Sequence, residues 1–315
     1  MSKKLKLTVL APVFNEADVI GRFYEETARV LNGLGERFDT HLLFVVDRCT
    51  DNTLNIIKRI AARDPRVQII GMSSRFGHQM SLLAGIDHAI DADAIVMMDS
   101  DLQHPPELIP ALVACYENGN DIVFTIRKDA DNIGFPRRAV NRVFYRMLGY
   151  LSETKINENA ADFRLISRRV AGLIRSEIRE RNMFLRGLFS WIGFNQVGVE
   201  YALSSRAAGQ SKYSLSRLLS FGMAGVLSFS TKPLKVSIAF GFGFALLGFL
   251  LGVFMVYKYF IDDAIPSGWT TIVTLLLLFS GAQLISVGIL GVYIGGIYEE
   301  VKKRPHYIVD EKINI

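Results

Sequence analysis

Two aspartates separated by one residue are the clearest candidates for chemistry in this sequence. Asp99 and Asp101 follow an apolar run, and Gln103 comes two residues later. Carboxylate and amide oxygens are the ligands that the hard cations Mg2+ and Mn2+ prefer. The same residues could form a turn and a helix cap before Pro105, so the spacing by itself leaves both interpretations open.

Polar residues also follow two earlier apolar runs. Residues 12–16 come after the first run and residues 47–51 after the second, and each group contains acids. One such acid is ordinary helix capping, whereas three acidic ends in one sheet indicate a site. No glycine-rich phosphate cradle of the G-x-G-x-x-G or Walker A kind follows the first run. A nucleotide bound here would therefore need its diphosphate neutralised by a metal and by side chains.

Segments of strand and helix character alternate along the part of the chain that carries these residues. The expected strands are residues 7–13, 41–46, 67–72, 94–98 and 121–125. The expected helices are residues 17–34, 51–63, 77–90 and 105–117. The alternation predicts an α/β fold with a mostly parallel sheet, in which ligands bind beyond the carboxyl ends of the strands.

Two long apolar runs near the carboxyl end predict transmembrane helices. Residues 236–257 and 272–297 contain no formally charged side chain. A helix of 22 residues extends about 33 Å, enough for the hydrocarbon core of a bilayer. Lysines and an arginine flank the pair on its outer sides, at residues 232, 235 and 302–304. The positive-inside rule then predicts a hairpin with both chain ends in the cytoplasm.

Smaller features refine the membrane prediction. Residues 214–230 are mostly apolar and predict an interfacial helix, with a buried core helix as the alternative. Glycines recur at four-residue spacing, which could let helices approach closely within or between protomers. These glycines are Gly248, Gly252, Gly291 and Gly295.

Overall charge and cysteine content narrow the choice of partners. The net charge of +5 suits nucleic acid, a membrane surface or phosphorylated substrates. The apolar carboxyl-terminal third favours membrane and phosphate, and no zinc-finger spacing or lysine-rich tail favours nucleic acid. Cys49 and Cys115 have no metal-ligand spacing, so we expect reduced thiols. The charged start of the chain does not read as a signal peptide, which predicts a cytoplasmic amino-terminal domain.

Seven segments together resemble a known family. They are residues 11–16, 51–53, 74–79, 98–107, 161–165, 206–213 and 291–305. In order and in sequence they resemble the family 2 glycosyltransferases with a GT-A fold, and within them the polyprenyl-phosphate glycosyltransferases. That group includes dolichyl-phosphate mannose synthases, bactoprenol glucosyltransferases and undecaprenyl-phosphate aminoarabinose transferases. The resemblance covers nearly the whole chain.

The resemblance implies a domain plan and a reaction. Residues 1–213 would form a cytosolic GT-A domain, 214–234 an interfacial helix or linker, 235–298 the transmembrane pair and 299–315 a cytosolic tail. The enzyme would move a sugar, with inversion, from a nucleotide-sugar (a UDP-sugar is favoured) to undecaprenyl phosphate at the inner membrane. The product would serve modification of cell-envelope glycans. The resemblance also implies a homo-oligomer, with a tetramer suspected.

The resemblance further implies roles for individual residues. The metal ligands would be Asp99, Asp101 and Gln103. The nucleotide-sugar would contact Pro12, Phe14, Glu16, Asp47, Asp99, Arg127, Arg206 and Lys212. The acceptor phosphate would contact Arg206, Ser211 and Lys212, and catalysis would involve Asp101, Asp162 and Arg164. The role of Asp162 stays open between a base, a group in the metal shell and an acceptor positioner, with Arg164 as its expected partner.

One departure from the family pattern lies after the second predicted strand. The family has two acids followed by Gly-Ser, whereas this chain has Val46, Asp47, Arg48 and Cys49. The family uses this loop to hold the base and ribose, so the base is not defined by the sequence. Arg48 could replace a lost contact or be solvated. Four arginines at helical spacing, residues 137, 138, 142 and 146, are better explained as a basic face against anionic lipid.

Two alternative functions share some of these features. A processive polysaccharide synthase shares the fold, but the Gln-x-x-Arg-Trp signature is absent before Trp191, and two helices make a poor tunnel. A catalytically inactive membrane scaffold is the other alternative. The retained polar set argues against it, namely Asp99, Asp101, Gln103, Asp162 and Lys212.

Overall fold

The structure is a computed structural model that describes residues 4–127, 160–181, 183–201, 232–261 and 268–315. The chain divides into two compact units. One is an α/β unit that includes the C-terminal segment Arg304–Ile315, and the other contains the two long apolar helices. The predicted interfacial helix at residues 214–230 and the arginines at 137–146 lie outside the described residues.

The described strands of the α/β unit form one eight-stranded sheet. They are β1 (Leu5–Val13), β2 (Phe38–Val46), β3 (Val67–Met72), β4 (Ala94–Met97), β5 (Ile122–Arg127), β6 (Ala160–Ser167), β7 (Gln196–Tyr201) and β8 (Val309–Ile313). Their order is β7-β5-β6-β4-β1-β2-β3-β8. The central strand β1 pairs in parallel with β2 and β4, and β2 pairs in parallel with β3. Strand β6 runs antiparallel to β4 and β5, and β8 runs antiparallel to β3. The predicted mostly parallel α/β sheet is confirmed.

Helices cover the sheet. They are α1 (Ile20–Leu34), α2 (Thr53–Ala61), α3 (His78–His88), α4 (Ile109–Glu117), α5 (Arg168–Ser176) and α6 (Leu185–Ile192). The helix expected at residues 105–117 starts as a 3-10 turn over Pro106–Leu108. Pro110 has no N–H to donate to the Pro106 carbonyl, which removes the first α-helical hydrogen bond. Consecutive residues of β2 from Leu42 to Val46 are almost fully buried, as expected for a parallel strand with both faces covered.

The C-terminal segment adds the edge strand β8, which sequence analysis described only as a cytosolic tail. Its residues alternate between half-buried and exposed, the period of a strand with one packed face. Asn314 donates its side-chain amide to the carbonyls of Ala61 and Val67 at 3.2 and 2.9 Å. Lys58 forms an ion pair of 2.6 Å with Glu311. The segment is therefore an integral part of the sheet.

A further contact at the start of the C-terminal segment ties it to the region after α5. Arg181 donates from one guanidinium nitrogen to the carbonyls of Arg304 and Pro305, at 2.7 and 2.8 Å. Tyr307 donates its hydroxyl to Asp87 on α3 at 2.7 Å. These bonds fix the segment before β8 begins.

Close packing of α3 on β1 makes a testable demand on Gly85. A Cβ atom added there would lie 2.0 Å from Cδ1 of Leu10, whose side chain is fully buried. We expect Gly85→Ala to lower the free energy of unfolding by about 2 kcal/mol, because the core must shift to admit a methyl group. Chemical unfolding of the purified full chain measures this.

Gly172 in α5 provides the matched control for Gly85. A Cβ atom there meets nothing within 4 Å, so Gly172→Ala should raise the free energy of unfolding by about 0.5–1 kcal/mol through helix propensity. Equal effects of the two substitutions would contradict the packing argument.

The second unit contains α7 (Lys232–Ile261) and α8 (Trp269–Val301). Within them, Leu234–Phe254 and Thr274–Val301 have mean hydropathies of 2.2 and 2.1 and are long and apolar enough to cross a membrane. They overlap the predicted runs. Phe244 and Phe279 meet edge to face with ring centroids 5.9 Å apart.

Only one of the four spaced glycines lies close to a described side chain from the other helix. A Cβ atom on Gly248 would lie 3.5 Å from Phe279, while Gly252, Gly291 and Gly295 have nothing within 4 Å among the described residues. Close approach through the other three glycines stays a prediction.

Candidate active site

The carboxyl ends of β1, β2 and β4 lie at one edge of the sheet, because these strands are parallel. Strand β6 runs the other way, so its amino-terminal end lies at the same edge. The register pairs Met97 with Arg164, and continuing it by two residues places Asp162 beside Asp99. The fold thus brings together the acids that sequence analysis selected from distant parts of the chain.

Asp99 is held between two histidines. Its Oδ1 is 2.8 Å from Nε2 of His78, and its Oδ2 is 3.7 Å from Nδ1 of His104. Burial alone would raise the pKa of this carboxyl. The hydrogen bond and charge of His78, with the charge of His104, outweigh burial and lower the pKa below its ordinary value. His104 is itself buried and stacks on Phe163 with centroids 5.3 Å apart.

Asp101 lies in a tight turn closed by Gln103. The main-chain N–H of Gln103 donates to Oδ1 of Asp101 at 3.0 Å, and the side-chain amide nitrogen donates to Oδ2. Leu102 between them adopts a left-handed backbone with φ of 62°. Gln103 therefore orients Asp101, and its amide oxygen is the atom that a cation could use.

The raised pKa of Glu16 shows that negative charge is concentrated at this edge of the sheet. Burial raises the pKa of its carboxyl to about 7, helped by the charges of Asp101, Asp51, Asp99 and Asp18. A hard divalent cation fits such a concentration of carboxylate oxygens by donor type and by charge. Among the described residues, however, no three His, Cys, Asp or Glu side chains are already arranged to hold a metal ion. Asp99 and Asp101 thus supply suitable donors without a complete ligand set.

Asp162 is the centre of an ion-pair cluster. Its two oxygens accept from Nε and Nη2 of Arg186 at 3.2 and 2.9 Å, and Nη2 of Arg164 lies 3.8 Å away. Burial would raise the pKa of this carboxyl, but the charges of Arg186 and Arg164 outweigh it and lower the pKa to about 2. Asp162 is therefore ionised at every pH near neutrality.

Arg164 is the expected partner of Asp162, and it lies almost entirely inside the protein. The residue is 3% exposed, and its guanidinium carbon lies 4.7 Å from the ring centroid of Phe189 on α6. Burial lowers its pKa to about 10, which leaves it charged. The closer partner, Arg186, was missed by sequence analysis because it comes from a helix that follows Asp162 by more than twenty residues.

Two residues predicted to bind the nucleotide-sugar, Asp47 and Pro12, make hydrogen bonds within the protein. Asp47 is 4% exposed, and its two oxygens accept the main-chain N–H groups of Phe76 and Gly77 at 2.6 and 2.9 Å. The carbonyl of Pro12 accepts from Ser100 at 3.1 Å, which links the ends of β1 and β4. Direct contact of Asp47 or Pro12 with a nucleotide stays a prediction.

The remaining predicted contacts divide between Phe14 and residues that the structure does not describe. The guanidinium carbon of Arg75 lies 4.0 Å from the centroid of the Phe14 ring. Arg127 is the last residue of β5, and its side chain is not described. Arg206, Ser211 and Lys212 lie outside the described residues.

Fold and site together define an α/β protein whose acidic side chains gather at the carboxyl ends of parallel strands, where such sheets bind their ligands. The model of the family described as "Glycosyl transferase family 2" matches residues 8–173 of the sequence, more than half of the chain. The chain therefore belongs to glycosyl transferase family 2, and it is a glycosyltransferase.

Similar proteins span nearly the whole chain. An uncharacterized glycosyltransferase of Bacillus subtilis, YkcC, is 38% identical over 100% of this chain and 96% of its own. The SfII prophage-derived bactoprenol glucosyl transferase of Shigella flexneri is 38% identical over 97% of each chain. Among solved structures, the mannosyltransferase PcManGT of Pyrobaculum calidifontis, in complex with GDP-Man and Mn2+, has a TM-score of 0.51 at 13% identity, covering 96% of this chain and 89% of that one. This similarity shows that the chain has a GT-A fold.

Proposed function

We propose that this glycosyltransferase moves a sugar from a nucleotide-sugar to a polyprenyl phosphate, with inversion, at the cytoplasmic face of a membrane. The observation that carries the proposal is the meeting of Asp99, Asp101 and Asp162 at one sheet edge. The chain adds two helices able to span a membrane. Relatives named as bactoprenol glucosyl transferases match it over nearly their full length, which supports a lipid-phosphate acceptor.

On the donor side, the leaving nucleoside diphosphate develops negative charge that must be stabilised. A divalent cation, Mg2+ or Mn2+, would supply that stabilisation when held by Asp99 and Asp101, with the amide oxygen of Gln103 as a third donor. The chain's own contribution is to fix these carboxylates. His78 orients Asp99 through its hydrogen bond, and Gln103 orients Asp101.

On the acceptor side, the nucleophile needs little activation. A phosphate monoester has its second pKa near 6, so it is largely a dianion at pH 7. With its pKa lowered to about 2, Asp162 is a weak base, and Arg186 engages both of its oxygens. Of the three roles considered for Asp162, these contacts favour positioning: the carboxylate holds Arg186 and Arg164 in place beside the reaction centre.

The C-terminal segment supports a topology with both chain ends on one side of the membrane. Strand β8 follows α8 in sequence, yet it pairs with β3 of the α/β unit. The chain before α7 and the chain after α8 therefore occupy the same compartment, as two crossings require. The positive flanks of the helices support the cytoplasm as that compartment.

We also propose that the protein assembles into a homo-oligomer. The mass of the detergent-solubilised protein measures its oligomeric state.

The test is a donor panel with purified full-length protein. The reaction contains undecaprenyl phosphate, Mg2+ or Mn2+, and one of several UDP- or GDP-sugars. We expect one donor to give a polyprenyl-linked monosaccharide with an equal amount of nucleoside diphosphate, and EDTA to stop turnover. No glycolipid from any donor would contradict the proposal and leave the scaffold alternative, and a growing polysaccharide would favour the synthase alternative.

A further inference from the structure

The corner after β2 holds the loop that connects β3 to α3. The two oxygens of Asp47 accept from the main chain at residues 76 and 77, as described above. The next residue, Arg48, donates from Nη1 to the carbonyl of Ser73 at 3.0 Å. Loop 73–77 is thus held at its start by a guanidinium and at its end by a carboxylate.

The backbone at Arg48 is in a conformation that disfavours an arginine. Its φ is 43°, in the left-handed region where glycine is unstrained and a side chain is not. Glycine would adopt this backbone without strain. In this chain the position carries a large side chain in spite of the strain, and strained residues of this kind concentrate at functional sites.

The loop and the first residue of α3 place two side chains at the carboxyl ends of the parallel strands. Arg75 stacks over Phe14, which directly follows β1, with its guanidinium carbon 4.0 Å from the ring centroid. His78, the first residue of α3 directly after the loop, contacts Asp99 at 2.8 Å. Both Arg75 and His78 are exposed. Any shift of the loop would therefore move the guanidinium of Arg75 and the imidazole of His78, the partner of Asp99, together.

We propose that Asp47 and Arg48 are positioning residues for the donor: they fix loop 73–77 so that Arg75, supported by Phe14, binds the nucleotide of the nucleotide-sugar. A planar guanidinium stacked on an aromatic ring keeps its in-plane N–H groups for phosphate or base oxygens, and it is pre-organised for them. Arg48, one of the positions at which this chain departs from the family pattern, thereby acquires a role. The inference rests on the proposed function and adds a donor-binding loop to it.

Arg48→Gly tests the positioning role without a folding penalty, because glycine suits the left-handed backbone. We expect the variant to melt at the same temperature as the unchanged protein or higher. Its Kd for UDP or GDP with Mg2+, and its KM for the nucleotide-sugar, should rise about tenfold, the effect of one lost charge-assisted hydrogen bond. The value of kcat should change little, and the main-chain amides of Phe76 and Gly77 should exchange hydrogen faster.

Two further variants sharpen the test. Arg63→Ala, on an exposed arginine just after α2, removes the same charge and should leave KM and Kd unchanged. Arg75→Ala should weaken nucleotide binding at least as much as Arg48→Gly. Unchanged KM and Kd in Arg48→Gly, or a lower melting temperature as the only effect, would overturn the inference. A wild-type protein that makes no glycolipid with any donor would instead contradict the proposed function.

Discussion

Asp101→Asn is expected to lower the rate of glycolipid synthesis by about a hundredfold or more while the protein stays folded and membrane-bound. The carboxylate carries the charge that attracts a cation to the departing diphosphate, and an amide of the same shape does not. Gln103 bonds to Asp101 through a main-chain N–H and a side-chain amide, and an asparagine oxygen can still accept one of these bonds. Single-turnover kinetics with a thermal melt separate the loss of chemistry from a loss of folding.

Asp18→Asn is the matched control for Asp101. Asp18 is exposed, and its charge also raises the pKa of Glu16, although less than the charge of Asp101 does. Both substitutions remove one negative charge, but Asp18 is not a predicted metal ligand, so activity close to that of the unchanged protein is expected. If Asp18→Asn and Asp101→Asn reduced turnover equally, a general loss of negative potential would explain both, and the metal assignment of Asp101 would be wrong.

Arg186→Met is expected to destabilise the protein and to make its activity sensitive to mild acid. The Asp162 and Arg186 side chains are 22% and 30% exposed, so losing the partner leaves a largely buried carboxylate. Among the described residues, Arg164 at 3.8 Å and the charge of His78 remain to offset it. We expect the free energy of unfolding to fall by about 2 kcal/mol, below the cost for a completely buried pair. Chemical unfolding at pH 7 measures this term.

The pH dependence follows from the pKa of Asp162. A lowered folded-state pKa means that the stabilisation by the ionised carboxylate is complete above the ordinary pKa near 4, and is lost as the pH falls through about 2. In Arg186→Met the pKa rises, so the acidic limb of the kcat/KM profile should move to higher pH. Arg186→Lys keeps a positive charge beside Asp162, so its acidic limb should lie between those of the unchanged protein and Arg186→Met.

Arg179→Met is the control for Arg186. Arg179 pairs with Asp87 at 2.8 Å outside the site, so its loss should affect stability and leave the pH profile of kcat/KM in place. An acidic limb that does not move in Arg186→Met would show that Arg186 does not control the charge of Asp162.

The acids were predictable because their signal is local. Asp99 and Asp101 come shortly after β4, a strand whose carboxyl end must point to the ligand side of a parallel sheet, and the sequence alone shows that apolar run and its end. Glu16 follows β1 by the same logic. The ends of β4 and β1, with the rule that ligands bind at the carboxyl ends of parallel strands, were sufficient to select these three acids.

The residues that orient the acids could not be predicted in the same way. Arg186 meets Asp162 only because α6 packs beside β6, and no spacing along the chain encodes that contact. Asp47 was predicted to contact the nucleotide-sugar because it is an acid at the end of β2. Its oxygens accept main-chain N–H groups of a loop almost thirty residues later, and the sequence did not indicate that contact. Partners chosen by tertiary packing leave no periodic signal.

The edge strand β8 also sets the order in which the protein can be completed. Its five residues are synthesised after both long apolar helices, and they pair with β3, which is made early. Until they leave the ribosome, that side of β3 has open N–H and C=O groups, the kind of edge that promotes aggregation. The catalytic sheet is therefore finished only after the two long apolar helices have been translated, so a chain truncated before residue 309 would lack the strand that closes it.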